Sequence, residues 1–158
     1  MSVETVAPVR KQVTVQAPQE LAFEVFCRRM ASWWNPSHHL AQTPFVDLVL
    51  EPREGGRWFE RDAAGNECSW GSVLAWEPPH RVILGWQLDE HWEFDSDLVT
   101  EVEIRFVEVG PSTTRVELEH RDLEKFGHAA PGIRASLEAS EGWAGLLGLF
   151  AGSLRGRC

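Results

Sequence analysis

The 158-residue sequence predicts an α+β fold in which a curved antiparallel sheet is covered by a C-terminal helix. Three observations carry that expectation. One alternating segment near the N-terminus precedes a short apolar stripe at helical spacing; six further segments with strand chemistry follow from Phe45, punctuated by turn residues; and residues 132–154 contain no proline and repeat apolar side chains at helical steps. A run of strands followed by a helix is the order of an α+β architecture.

VRKQVTV, residues 9–15, sets Val9, Lys11, Val13 and Val15 on one face and Arg10, Gln12 and Thr14 on the other, the period of a half-buried strand. Pro18 suits a first helical turn, and Leu21, Phe23, Val25 and Phe26 form an apolar stripe reaching Cys27. Residues 30–34 can add another turn, which Asn35-Pro36 ends; residues 37–44 have no periodicity and read as an exposed loop.

Strands are then expected over 45–50, 57–61, 67–76, 80–88, 98–109 and 114–121. Turn chemistry separates them at 52–56, 64–66, Pro78-Pro79, the acidic stretch 89–97 and 110–112. Alternation places Val102, Ile104 and Phe106 on one face of the 98–109 strand, and Val116, Leu118 and His120 on one face of the 114–121 strand. In the last stretch Ile133, Leu137, Ser140, Trp143, Leu147, Phe150 and Leu154 recur at steps of three and four, which predicts one long amphipathic helix over 132–154.

Composition narrows the function. Fifteen Lys and Arg against 24 Asp and Glu leave a net charge of −9, which argues against nucleic acid and anionic membrane surfaces as partners. The longest apolar-rich stretch, 143–154, is too short to span a bilayer, which takes about 20 residues. Cys27, Cys68 and Cys158 lack metal-ligand spacing, and no signal-peptide pattern follows Met1, so a cytoplasmic protein with reduced thiols is expected. No repeat or linker divides the chain, and a single domain with a core over about residues 9–154 is expected. Eight Trp are the unusual feature; either the core is built from them or a pocket is.

Nucleophile elbows, phosphate loops, dinucleotide fingerprints and paired zinc-type cysteines are missing from the sequence, so no cofactor and no metal are expected. His38 and His39 are adjacent and lack a third ligand at suitable spacing, which favours a loop near a cavity mouth over a metal site. His120 sits on an apolar strand face. It is either a core histidine bonded to its neighbours or the one polar anchor, or acid-base group, of an apolar pocket. Glu60 alternates onto the side of Trp58; a solvated strand-edge position is the expectation, an inward carboxylate the alternative.

GSVLAWEPPHRVILGW, residues 71–86, resembles the strand, Pro-Pro turn and strand of bacterial proteins similar to the C-terminal domain of the heat-shock protein 90 ATPase activator, within the START-like (SRPBCC) superfamily. The Trp33-Trp34 pair, VDLVLEPREGGRW at 46–58, TRVELEH at 114–120 and the late Gly142-Trp143 agree in order. This resemblance implies a helix-grip fold, the sheet gripping the C-terminal helix, with a cavity between them for an apolar or amphipathic ligand. It carries no shared catalytic residue onto this chain.

The cavity candidates are Trp33, Trp34 and His38 at the entrance, Trp33 or Trp34 serving as a lid. On the sheet they are Trp58, Glu60, Trp70, Trp86, Ile104, Phe106, Leu118 and His120, and on the helix Trp143, Leu147 and Phe150. A plain packed core uses the same residue types. The leading expectation is binding of a small apolar or aromatic ligand between sheet and helix, with no catalytic activity assigned. The alternatives are an aromatase or cyclase in which His120 or an inward carboxylate moves a proton, and a module that regulates a chaperone through an acidic sheet face.

Overall fold

The computed structural model of the protein describes residues 6–34, 45–140 and 142–155. Strand β1 (Val9–Val15) leads into helix α1 (Gln19–Arg28) and a single 3-10 turn at Met30–Ser32. Six strands follow: β2 (Phe45–Leu50), β3 (Arg57–Asp62), β4 (Glu67–Glu77), β5 (Arg81–Trp86), β6 (Thr100–Gly110) and β7 (Thr113–Arg121). A 3-10 segment, Leu123–Ala129, then precedes α2 (Ala130–Glu138) and α3 (Trp143–Arg155).

All seven strands form one antiparallel sheet in the order β1-β7-β6-β5-β4-β3-β2. Consecutive strands pair from β2 to β7, joined by short turns except for the longer β5–β6 connection, and β1 closes onto β7 in the register Val9 opposite His120 through Val15 opposite Thr114. Alternation decides which face is buried. Val102, Ile104 and Phe106 stand directly opposite His120, Leu118 and Val116, and all six are buried. This inner face is covered by α1 and α3, and the fold is the expected helix-grip α+β arrangement.

The 71–86 motif has a physical reason in the sheet. A side chain on Gly71 would collide with the backbone carbonyl of Gly85 on the adjacent strand, so β4 and β5 approach here as closely as only glycine allows. Register shifts between Trp58 and Phe59 and between Val73 and Ala75 add twist at the same end of the sheet.

Residues 132–154 are not one continuous helix. Ala139 leaves α2 in an extended conformation (φ −63°, ψ 160°), and α3 restarts at Trp143. Gly142 makes the turn possible, because any Cβ there would strike the carbonyls of Ser136 and Leu137 at the end of α2. In α3 the buried residues Trp143, Leu146, Leu147, Phe150, Ala151 and Leu154 follow the helical period and face the sheet.

Candidate functional site: an aromatic interior

Every Trp of the chain belongs to one connected network of ring contacts. Trp76 meets Phe23 at 5.1 Å between ring centroids, Phe23 meets Phe106, and Phe106 meets Phe26. Phe26 touches Trp33 and Phe150, and Trp33 meets Trp34 at 5.6 Å. Trp34 then contacts Trp58, Trp70 and Trp143 edge-on, at interplanar angles of 80° to 89°. Trp86 completes a box with Trp58, Trp70 and Trp143 and touches Trp92 on its outer side. Edge-to-face packing is the arrangement that ring quadrupoles favour.

Trp33 and Trp34 are each only 4% exposed, so they are walls of the interior and not a surface lid. Ile104, Phe106, Leu118, Leu147 and Phe150 are buried on the same side, as the alternation of β6 and β7 and the period of α3 require. His38, its neighbour His39 and Cys158 lie outside the described residues. Trp92 is the exception among the rings: it is 49% exposed, in the β5–β6 connection.

Four polar groups enter this apolar space. His120 is fully buried, with both ring nitrogens engaged: the Trp143 indole N–H donates to Nδ1 at 3.1 Å, and Nε2 lies 2.8 Å from Thr100 Oγ1. Since Nδ1 accepts, the proton sits on Nε2 and is donated to Thr100, whose hydroxyl donates in turn to the Trp86 carbonyl at 3.2 Å. Burial pushes the imidazole pKa down to about 3, so the ring is neutral. With no free nitrogen facing the interior, His120 does not fit the acid-base role expected as one alternative; it ties β6, β7 and α3 together. Thr100, its partner, was not among the sequence candidates, although the alternation through Val102, Ile104 and Phe106 extends back to it.

Glu60 corrects the solvated strand-edge expectation. It is fully buried, and the Trp70 indole donates to its Oε1 at 3.0 Å. The β-bulge explains the pairing: Trp58 stands opposite Gly71 and Phe59 opposite Ser69, so Trp70 is the extra residue and its ring turns inward beside Glu60. The fourth polar group, Trp58 Nε1, is buried and has no hydrogen-bond partner among the described residues. Cys68, opposite Glu60, has its thiol pKa raised by burial and by the Glu60 and Asp62 charges, and Cys27 is raised by burial alone, so neither is an activated nucleophile.

The outer face of the sheet is not the open acidic surface that the chaperone alternative needs. Glu103 is bonded by Arg121 at 2.5 Å, Arg105 at 2.8 Å and Arg81 at 3.2 Å. Desolvation raises its carboxyl pKa, but the hydrogen bonds from Arg105, Arg121 and Arg81 outweigh that and hold it at about 2. Glu101, Glu117 and Glu119 are likewise paired with arginines. Among the described residues, the densest run of carboxylates without an Arg or Lys partner is 89–97, with Asp89, Glu90, Glu93, Asp95 and Asp97; others, such as Glu20, Glu24, Glu54, Glu108 and Glu124, are scattered over the surface. No helix of the described residues is long and apolar enough to cross a membrane.

Comparison with known proteins now adds to this geometry. No curated protein matches the chain. Among solved structures, the chain is similar to an anthrahydroquino-gamma-pyrone synthase, Txn09, at 42% identity over 94% of this chain and 97% of the other, with a TM-score of 0.66. It is similar at 28% identity to the self-sacrificing resistance protein CalC from Micromonospora echinospora, over 94% of each chain and with a TM-score of 0.69. The Aha1 dimer from Colwellia psychrerythraea, at 15% identity over 94% of this chain and 96% of the other, shares the fold with a TM-score of 0.61. A family model described as activator of Hsp90 ATPase homolog 1-like protein matches residues 16–154, and the chain belongs to that family, within the START-like superfamily.

Proposed function

We propose that the protein works as one START-like unit and binds a flat, oxygen-bearing polycyclic aromatic ligand of the anthraquinone class between β3–β5 and α3. The observation that carries this reading is the box of Trp34, Trp58, Trp70, Trp86 and Trp143, in which the Trp70 and Trp143 indoles are bonded to Glu60 and His120. The 42% identity to a synthase of anthrahydroquino-gamma-pyrones supports it, since that protein's named chemistry concerns a fused-ring aromatic. Fold alone would not, because one fold serves many functions.

In the closed form the box walls are 5% exposed or less, so a ligand enters only if rings separate. Separation costs little net energy when the incomer is itself aromatic. Each edge-to-face ring contact given up, about 0.5–1.5 kcal/mol, is replaced by a contact with the ligand. The test uses the eight Trp themselves. Titrating 1,8-dihydroxyanthraquinone into the protein is expected to quench Trp emission saturably at one ligand per chain and to raise the melting temperature. A linear, unsaturable quench with no thermal shift would contradict the reading.

One observation favours a second, catalytic reading of the same site: a carboxylate, Glu60, stands inside the ring box. A buried carboxylate beside a bound phenol can take its proton and so assist ring closure. Glu60→Gln keeps the shape and the bond from Trp70 while removing the base. If the site is catalytic, this variant retains ligand binding and loses turnover of a cyclisable hydroxyanthraquinone by about 100-fold or more; unchanged turnover would remove Glu60 from the chemistry.

A further inference from the structure

The indoles of the interior differ in how their N–H groups are spent. Trp33 donates to the Val25 carbonyl at 3.1 Å, Trp70 to Glu60 at 3.0 Å and Trp143 to His120 at 3.1 Å. Trp58, 0% exposed, donates to no acceptor among the described residues. Leaving a buried donor unsatisfied costs more than a typical hydrogen bond contributes, and buried polar groups without partners are rare enough to require an explanation. The nitrogen itself is closed to solvent. The nearest carboxylate along β3, Glu60, is engaged by Trp70, the residue that the bulge inserts between the two strands.

We infer that Trp58 Nε1 is the recognition donor of the site, and that it selects ligands carrying a carbonyl or phenolate oxygen on the aromatic skeleton. This rests on reading the ring box as a ligand site and adds to it the atom that reads the ligand. An indole N–H is a donor only, so its partner must be an acceptor. A bare hydrocarbon of the same shape gains the ring contacts but leaves the N–H as it was; a cationic ligand gains nothing from it. An oxygen placed at the nitrogen restores the missing bond in a space that excludes water, where a site built to hydrogen-bond one group discriminates strongly against the analogue that lacks it. The position is also stiff: Trp58 is held by Trp34, Trp70 and Trp86 around it, and its strand pairs on both sides.

The test compares anthraquinone with anthracene, the same three rings with and without oxygen, on wild-type protein and on Trp58→Phe. Wild type is expected to bind anthraquinone roughly tenfold more tightly than anthracene, one hydrogen bond's worth. In Trp58→Phe that ratio collapses to near one, whatever the smaller ring does to binding overall, because the ratio cancels effects shared by the two probes. A second readout needs no variant. In wild-type protein labelled with 15N-indole tryptophan, the Trp58 N–H resonance moves downfield with anthraquinone, whereas anthracene gives only the ring-current shift of a packed guest and no downfield hydrogen-bond shift. A ratio unchanged in Trp58→Phe, or a Trp58 resonance that shifts alike with the two probes, would overturn the role of Trp58 while leaving the site intact. Failure of wild type to bind either probe would overturn the ring box as a ligand site, and this inference with it.

Discussion

At the scale of single residues, the interior is a set of choices about where each polar atom finds a partner. His120 shows how far this was legible in sequence: alternation along β7 places it with Val116 and Leu118, but its partners come from Thr100, 20 residues earlier, and Trp143, 23 residues later. Only the folded register brings them together. The neutral ring has a consequence for acid stability. A histidine whose pKa falls from 6.5 unfolded to about 3 folded gives stability that is fully present above pH 6.5 and is lost as pH drops toward 3. Between pH 7 and pH 4.5 this predicts a loss of roughly 2–3 kcal/mol in urea unfolding. His120→Gln should flatten that part of the profile, and a wild-type profile already flat over this range would contradict the buried neutral ring. The Glu103 carboxyl, held at about 2, adds to the loss at lower pH: its stabilisation is present above its ordinary pKa of 4.5 and fades only as pH falls below that.

At the scale of elements, hydrophobic period was a reliable guide wherever one face is wet. β1 and β2 match the expected bounds, and β7 differs by one residue, because period two is a direct readout of a half-buried strand. Two features were hidden. The Leu123–Ala129 segment has no such period, and the break between α2 and α3 is set by a carbonyl contact at Gly142 that the apolar stripe runs straight across. The bulge that aims Trp70 at Glu60 is hidden for the same reason, being a property of two strands and not of one. Gly71 lends itself to an element-level test. Gly71→Ala drives a methyl into the Gly85 carbonyl, a backbone atom that cannot swing aside, and is expected to destabilise the fold by about 2 kcal/mol or more. A melting temperature unchanged from wild type would mean that β4 and β5 do not approach this closely.

At the scale of the whole molecule, two features of the composition resolve into places. The eight Trp, spread from residue 33 to residue 143, become one ring network with Trp86 at a junction where four other Trp meet. On the wet sheet face arginines answer the glutamates, and the densest unanswered run of acid, Asp89, Glu90, Glu93, Asp95 and Asp97, lies in the β5–β6 connection. Sequence could count both and could place neither, since ring contact and ion pairing join residues far apart in the chain. The account turns on whether the ring box opens to admit a flat aromatic guest. A crystal structure of the protein grown with 1,8-dihydroxyanthraquinone tests that most directly. It should show the guest between the rings of Trp34, Trp58, Trp86 and Trp143, with a carbonyl or phenolic oxygen about 3 Å from Trp58 Nε1. A guest found only on the outer face of the sheet, above a ring box still closed, would contradict it.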